Sequence, residues 1–253
     1  MPVRNIRLIL EYDGSAFHGW QVQKNGISVQ QQLGQAIGML TGTPCLPIGA
    51  GRTDAGVHAA GQVACFQTES GIPPERFATA LNAVLPDTIS VRSSVEVPMG
   101  FHPRKDARQK HYRYLVLNRP QRSALLAGRA WHVPRPLCLS AMREAAALFL
   151  GTHHFGAFCA SGHSVKTFVR TIAQSDWTDA GDGLLQYDVM GNGFLYNMVR
   201  ILAGTMVEVG MEKRTPDSVR ELLLHGDRRL AGKTAPACGL CMMSVSYGGE
   251  EQA

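Results

Sequence analysis

The alternation of apolar and polar positions is clearest at the start of the chain. In NIRLILEY, residues 5–12, Ile6, Leu8, Leu10 and Tyr12 fall on one side and more polar neighbours on the other, and Asp13-Gly14 follow. This is the pattern of a half-buried strand running into a turn. The period then changes. In SVQQQLGQAIGMLTG, Val29, Leu33, Ile37 and Leu40 recur at helical spacing, with Ser28 and Gln31 placed as a capping box and Gly42 at the stop. GQVACFQT (61–68) reads as a second strand. PPERFATALNAVL (73–85) reads as a second helix, with prolines in its first turn and Pro86 past its end.

A similar order recurs downstream. HYRYLVLN (111–118) has the pattern of a strand, and SAMREAAALFLG (140–151) that of a helix opened by Ser140 as N-cap and closed by Gly151. VRTIAQSDW and LLQYDVMG read as consecutive strands joined by the turn-rich TDAGDG. FLYNMVRILAGTMVEVG (194–210) predicts a long buried helix. TPDSVRELLLHG (215–226) predicts a short one, with Thr215 as cap, Pro216 at the first position and Gly226 after the last, and LCMMSVSY (240–247) a closing strand. Strands and helices do not alternate regularly, so the expected fold class is α/β in the α+β sense: two α/β subdomains with antiparallel or mixed sheets. The boundary is expected near residues 101–110, giving an N-terminal subdomain 1–105 and a C-terminal subdomain 106–253.

A chain of 253 residues with 45% hydrophobic content buries a substantial core. Charges at Arg4, Arg7, Glu11 and Asp13 interrupt the first apolar residues, and later apolar runs are too short to cross a bilayer, so a cytoplasmic protein is expected. Six cysteines, at 45, 65, 138, 159, 238 and 241, are scattered through a chain large enough not to need staples, and are expected as reduced core thiols. Net charge is +5, and its distribution matters more than its size. Between Phe101 and Pro136 stand Arg104, Lys105, Arg108, Lys110, Arg113, Arg119, Arg122, Arg129 and Arg135 against Asp106 alone, a local charge of +8. A solvated basic face and a nucleic-acid surface both fit this run.

The candidate chemistry centres on GAGRTDAGVHA, residues 49–59, where Gly49, Gly51 and Gly56 frame Asp54 in a sharp loop and Arg52 stands two positions before it as a candidate substrate contact. An aspartate there is ordinarily a turn former; a phosphate cradle is the competing small-molecule reading, but the loop lacks the Lys-Ser/Thr pair of a P-loop and the strand-glycine-helix order of a dinucleotide fingerprint. Cys238 and Cys241 form a CxxC without a second pair, and His153-His154 have no obvious acidic partner, so no metal is expected. No GxSxG is present. Tyr112, among Arg108, Lys110 and Arg113, is either a core strand residue or an aromatic for base stacking. Arg200 lies among Met198, Val199, Ile201 and Leu202, where an unpartnered guanidinium would cost several kcal/mol, so an anionic partner is expected.

Six blocks, EYDGSAFHGWQVQ (11–23), GAGRTDAGVHA (49–59), FHPRKDARQKHYRY (101–114), GTHHFGAF (151–158), GNGFLYNMVRILAGTMVEVG (191–210) and TAPACGLCMMSV (234–245), together resemble the TruA family of tRNA pseudouridine synthases, in family order and over nearly the whole chain. The resemblance implies two α/β subdomains around a basic cleft and a cytoplasmic homodimer that binds tRNA. It implies isomerisation of uridines 38 to 40 of the anticodon stem-loop without cofactor or metal. Asp54 matches the catalytic aspartate, Tyr112 the base-stacking tyrosine, Arg200 the arginine paired with that aspartate, and Leu240 the apolar residue beneath the site. Arg104, Lys105, Arg108 and Lys110 are the expected RNA-backbone contacts. Two readings from other classes stand beside it: a non-catalytic RNA-binding module using the basic run alone, and a metal-dependent enzyme using His153, His154 and the CxxC. A CxxC at this place is not a general feature of the family, and the role of Cys238 and Cys241 stays open, as does the point at which Asp54 acts: C1′, C6, or C2′ by a glycal route.

Overall fold

The computed structural model describes residues 2–162 and 165–248. It separates into two compact units, Met1–Arg108 together with Cys241–Ala253, and Gln109–Leu240.

The first unit contains β1 (Arg4–Tyr12), α1 (Val29–Thr41), β2 (Ile48–Gly49), β3 (His58–Thr68), α2 (Phe77–Asn82) and β4 (Ile89–Val97). β1 runs antiparallel to β3 on one side and to β4 on the other, with Leu8 opposite both Ala64 and Ser94, and β2 adds antiparallel to β3. The alternation in β1 does what it predicts: Ile6, Leu8 and Leu10 are fully buried, as are Leu33 of α1 and Phe77 and Leu81 of α2. Phe77 meets Phe66 edge-on at 5.2 Å, which seats α2 on that face of the sheet. Ser28 Oγ accepts the Gln31 N–H at 3.2 Å, and Gly42 closes α1 in the left-handed region at φ 71°.

The helix expected over 73–85 is shorter. A 3-10 turn, Pro74–Arg76, precedes six helical residues, and Asn82 then turns its side chain to β4, with Oδ1 accepting the Val91 N–H at 2.7 Å and Nδ2 donating to the Val91 carbonyl at 2.9 Å. Tertiary pairing ends this helix before its local propensity does. β4 itself carries Arg92, Ser93 and Ser94 in its middle, which weakens the alternation that identified the other strands.

The second unit contains β5 (Ala107–Leu117), β6 (Trp131–His132), α3 (Leu139–Ala147), β7 (Gly151–His154), β8 (Val169–Asp179), β9 (Leu184–Gly191), α4 (Met198–Gly210) and α5 (Asp217–His225). β5, β9, β8 and β7 follow one another antiparallel, and β6 adds parallel to β5. The unit boundary falls inside β5. The last strand, β10 (Leu240–Tyr247), returns to the first unit, where Cys241 and Met242 pair in parallel with His58 and Ala59 of β3. A mixed sheet is the outcome of that return.

Several helix ends differ from expectation. Cys138 occupies the N-cap of α3 and Ser140 lies inside it, while Gly151 (φ 96°) opens β7 rather than closing the helix. α4 begins at Met198 because Asn197 takes a left-handed conformation (φ 59°) that interrupts the helical run. Before α5, Pro216 holds the N-cap position, and Thr215 contributes its carbonyl to the Ser218 N–H at 3.1 Å. All six cysteines are free; Cys65 and Cys159 are buried, but Cys45, Cys138, Cys238 and Cys241 are only partly so, and the expectation of core thiols holds for two. Among the described residues no helix is long and apolar enough to cross a membrane.

Trp177 stacks on Tyr187 at 5.1 Å and donates its indole N–H to Met206 Sδ of α4 at 3.1 Å, so this face of β8 and β9 packs on the helix. Asp188 and Arg113 stand opposite one another on β9 and β5. The Asp188 carboxylate is met by His111 Nε2 at 2.6 Å, Arg113 Nε at 3.0 Å and Gln186 Nε2 at 2.5 Å. Burial opposes its ionisation, but these donors outweigh it and hold its pKa below the usual carboxylate range. With the folded value below the unfolded one, this stabilisation is present above about pH 4 and is lost as pH falls through the folded value. Asp188→Asn is expected to lower stability at pH 7 by about 1–3 kcal/mol and to flatten the fall in the urea midpoint between about pH 5 and 3. An acid limb identical to that of the parent protein would reject this role for Asp188.

Candidate active site

Asp54 lies in the loop between β2 and β3, and residues 12–21 hold that loop in place. Tyr12 Oη is 2.9 Å from Thr53 Oγ1, and the Trp20 N–H donates to the Thr53 carbonyl at 3.0 Å. The Gly56 N–H donates to the Phe17 carbonyl, Gln62 Nε2 to the Gly51 carbonyl at 2.9 Å, and the Val57 N–H closes the turn onto the Asp54 carbonyl at 3.1 Å. Burial pushes the Tyr12 phenol up to about 12, so it remains a neutral hydroxyl at physiological pH.

The glycines act in different ways. Of Gly49, Gly51 and Gly56, Gly56 takes the left-handed conformation (φ 77°). Gly49 is needed for space, since a Cβ there would lie 2.6 Å from the Trp20 ring. Gly14 and Gly19 of EYDGSAFHGW are equally constrained: a Cβ would fall 2.0 Å from the Val57 carbonyl oxygen at the first and 2.5 Å from the Thr53 carbonyl oxygen at the second, which also has φ 82°. These two glycines let the 12–21 segment lie directly against the loop on both sides of Asp54. Thr53 and Val57 are buried as a result, Asp54 is half-buried, and Arg52 is exposed with Nε donating to Gln21 Oε1 at 3.0 Å. The sequence offers Asp54 and Arg52 as candidates but does not point to Tyr12, Gly14, Gly19, Trp20 and Gln62 as the support of their loop; the two glycines of DGSAFHG were the available signal.

In the second unit, β5, α4 and residues 233–240 converge. Tyr112 is buried on β5 and meets Phe194 edge-on at 5.1 Å. Tyr114, two residues on, donates its hydroxyl to the Pro236 carbonyl at 2.7 Å. Arg200 is half-buried; its Nε donates to the Ala235 carbonyl at 2.8 Å, its Nη1 to Asn197 Oδ1 at 2.9 Å, and its own carbonyl accepts the Ala235 N–H at 3.0 Å. Gly204 permits this clamp, because a Cβ there would sit 1.9 Å from the Lys233 carbonyl oxygen. Gly239 fits against the Tyr114 ring and is followed by Leu240, which is buried. The spacing from Arg200 to the TAPACGL block is thus a packing requirement.

A family model described as tRNA pseudouridine synthase matches residues 8–104 and 145–248, which include the Asp54 loop, Arg200 and Leu240. The chain belongs to the tRNA pseudouridine synthase family. A protein named tRNA pseudouridine synthase A from Acetivibrio thermocellus is 50% identical over 97% of this chain and 100% of its own length. Proteins of the same name from Geobacter sp. (strain M21) and Geotalea uraniireducens are 50% and 46% identical, each over 97% of this chain and over 99% and 100% of their own lengths. Tyr112 falls between the two matched segments of the family model but within the full-length matches.

In this member of the family the basic residues before β5 are presented by a turn. The His102 N–H donates to Asp106 Oδ2 at 2.8 Å, and His102 Nδ1 accepts the Arg104 N–H at 3.2 Å, so the one acid of the stretch is used to shape the turn. Arg104, Lys105 and Arg108 are exposed and Lys110 is half-buried. No group of three or more His, Cys, Asp or Glu side chains able to hold a metal ion occurs among the described residues. His153 Nε2 lies 2.7 Å from the Leu150 carbonyl, and His154 packs on Phe168 at 5.4 Å.

Proposed function

We propose that this chain isomerises uridines 38, 39 and 40 of the tRNA anticodon stem-loop to pseudouridine, as a cytoplasmic homodimer that uses no cofactor. The observation that carries the reading is the Asp54 loop: a half-buried carboxylate on a backbone fixed from both sides, in a chain of the tRNA pseudouridine synthase family. Isomerisation breaks the N1–C1′ bond, turns the uracil over and joins C5 to C1′, so product and substrate contain the same atoms and no redox partner is needed. The target base must first leave its stack. Asp54 is the reacting carboxylate, as nucleophile at C1′ or C6 or as base toward C2′, and each role needs it ionised. Arg200 is the cation that keeps it so in an apolar pocket. Tyr112 stacks on the displaced base, Leu240 walls the pocket, and Arg52 contacts the substrate beside Asp54.

The test is to incubate purified protein, with chelator, with unmodified tRNA and with an isolated anticodon stem-loop, and to map pseudouridine by carbodiimide adducts and reverse-transcription stops. Stops at positions 38 to 40 are expected. Their absence on every tRNA, with binding intact, would leave an RNA-binding protein instead.

Arg104, Lys105, Arg108 and Lys110 are assigned to RNA phosphates. Replacing Arg104 and Lys105 together with alanine is expected to reduce the slope of log affinity against log salt by roughly 1.4–1.8, the counterion release of two phosphate contacts. A slope equal to that of the parent protein would mean that the turn faces away from RNA.

A further inference from the structure

Four of the nine bases in the basic stretch lie outside the groups assigned so far. Arg119, Arg122, Arg129 and Arg135 follow β5, in the loop that carries β6. Arg119 is committed locally, with Nη1 2.5 Å from Asp182 Oδ2. Arg135 ends the stretch at a surface recess of the second unit with room of about 380 Å³. Val133, Val207 and Met211 give this recess an apolar floor, and the half-exposed Trp131 ring gives it an aromatic wall. Its rim holds Arg135, Lys213 and Lys233, three exposed cations from three separate parts of the chain. The Lys233 ammonium lies 4.8 Å over the Trp131 ring, which holds a long flexible cation in place without neutralising it.

Glu208 also lines the recess, but its charge is engaged elsewhere. Its Oε2 accepts from Arg214 Nε and Nη2 at 3.1 and 2.8 Å, and its Oε1 accepts the Lys233 backbone N–H at 3.0 Å. Among the described residues, the side chains of Arg135, Lys213 and Lys233 have no carboxylate at ion-pair distance. The surface therefore combines a cationic rim with an apolar and aromatic interior.

We infer that this recess is a second RNA contact, which seats a nucleotide of the tRNA outside the catalytic pocket. A phosphate sits among Arg135, Lys213 and Lys233, and the sugar and base lie against Trp131 and the apolar floor. The inference rests on the tRNA reading above. Stacking on aromatic side chains beside a charged groove is a sequence-tolerant way to hold an unpaired nucleotide. Charge complementarity favours RNA as the occupant, because three cations without a carboxylate at ion-pair distance gather around one recess.

Trp131 supplies the measurement. Of the three tryptophans, Trp20 and Trp177 are buried, so acrylamide quenching reports chiefly on Trp131. Saturating unmodified tRNA is expected to reduce that quenching several-fold. Lys213→Gln combined with Lys233→Gln is expected to weaken tRNA binding about tenfold and to reduce the salt slope by roughly 0.7–0.9, the counterion release of one phosphate contact, with an unchanged thermal melt as the folding control. Full quenching of Trp131 in the tRNA complex, or a salt slope unaffected by the double substitution, would overturn the inference. So would protection of Trp131 that grows with protein concentration without RNA, alongside a change in sedimentation, since that would make the recess an interface between copies. Protection by tRNA in a protein that forms no pseudouridine would sink the catalytic reading and leave the RNA contact standing.

Discussion

Asp54→Asn is expected to lower pseudouridine formation by about 10⁴-fold or more, as loss of a reacting carboxylate does, while tRNA affinity is retained. Asparagine has nearly the same shape, and the loop hydrogen bond to Val57 uses the Asp54 backbone carbonyl, so the turn survives the change. Removing a negative charge from an RNA-binding surface relieves repulsion with phosphate, so binding should hold or tighten. The measurement is single-turnover conversion of unmodified tRNA, with a parallel binding titration. If the variant turns over at the parent rate, Asp54 is a turn former, the ordinary fate of an aspartate among glycines. A joint loss of binding and turnover would mean instead that the loop shapes the RNA surface and that its carboxylate is not the reacting group.

The second large effect is expected from a residue with no functional group. Gly19→Ala would place a methyl 2.5 Å from the Thr53 carbonyl oxygen and 3.0 Å from the Asp54 carbonyl carbon, at a φ of 82° that alanine disfavours. The backbone beneath Asp54 has to move. Stability is expected to fall by about 2–3 kcal/mol, and turnover by roughly 10²-fold if the loop shifts by about 1 Å. Gly42→Ala is the control, because Gly42 also has positive φ (71°) but a methyl there would meet nothing within 4 Å, so it separates backbone strain from collision. It is expected to cost about 1 kcal/mol and to leave turnover intact. Urea denaturation and single-turnover rates read both effects. Equal behaviour of the two variants would show that Gly19 does not position the loop.

Much of the scaffold was legible because its elements follow simple periods. Ile6, Leu8 and Leu10 alternate and are buried; Ser28 and Gly42 sit at the two ends of α1 as their chemistry requires. At α2, where expectation and structure part, the cause is a pairing outside the helix: Asn82, its last residue, turns its side chain to Val91 of β4, nine residues on. At α4 the cause is local, because Asn197 breaks the run into the helix. The expected domain limits, 1–105 and 106–253, put the last strand with the second half, whereas Cys241 and Met242 of that strand hydrogen-bond with β3 of the first unit. A strand's partner is set by the sheet edge it reaches, and its own residues do not encode that edge.

The sequence by itself determined the candidate chemistry: which carboxylate, tyrosine and arginine stand in distinctive settings, where positive charge accumulates, and which family the ordered blocks resemble. Those are properties of residue type and short spacing, and they need no third dimension. The tertiary structure alone decided what supports that chemistry. That Gly14 and Gly19 press against the Asp54 loop, that Tyr12 reaches Thr53, and that Gly204 admits the segment clamped by Arg200 are facts about surfaces meeting across tens of residues. The recess rim shows the same division. Arg135 belongs to a basic run visible in the sequence, but Lys213 and Lys233 join it only because α4 and its neighbours bring distant cations to one surface, where Coulomb interactions depend on separation in space and not along the chain.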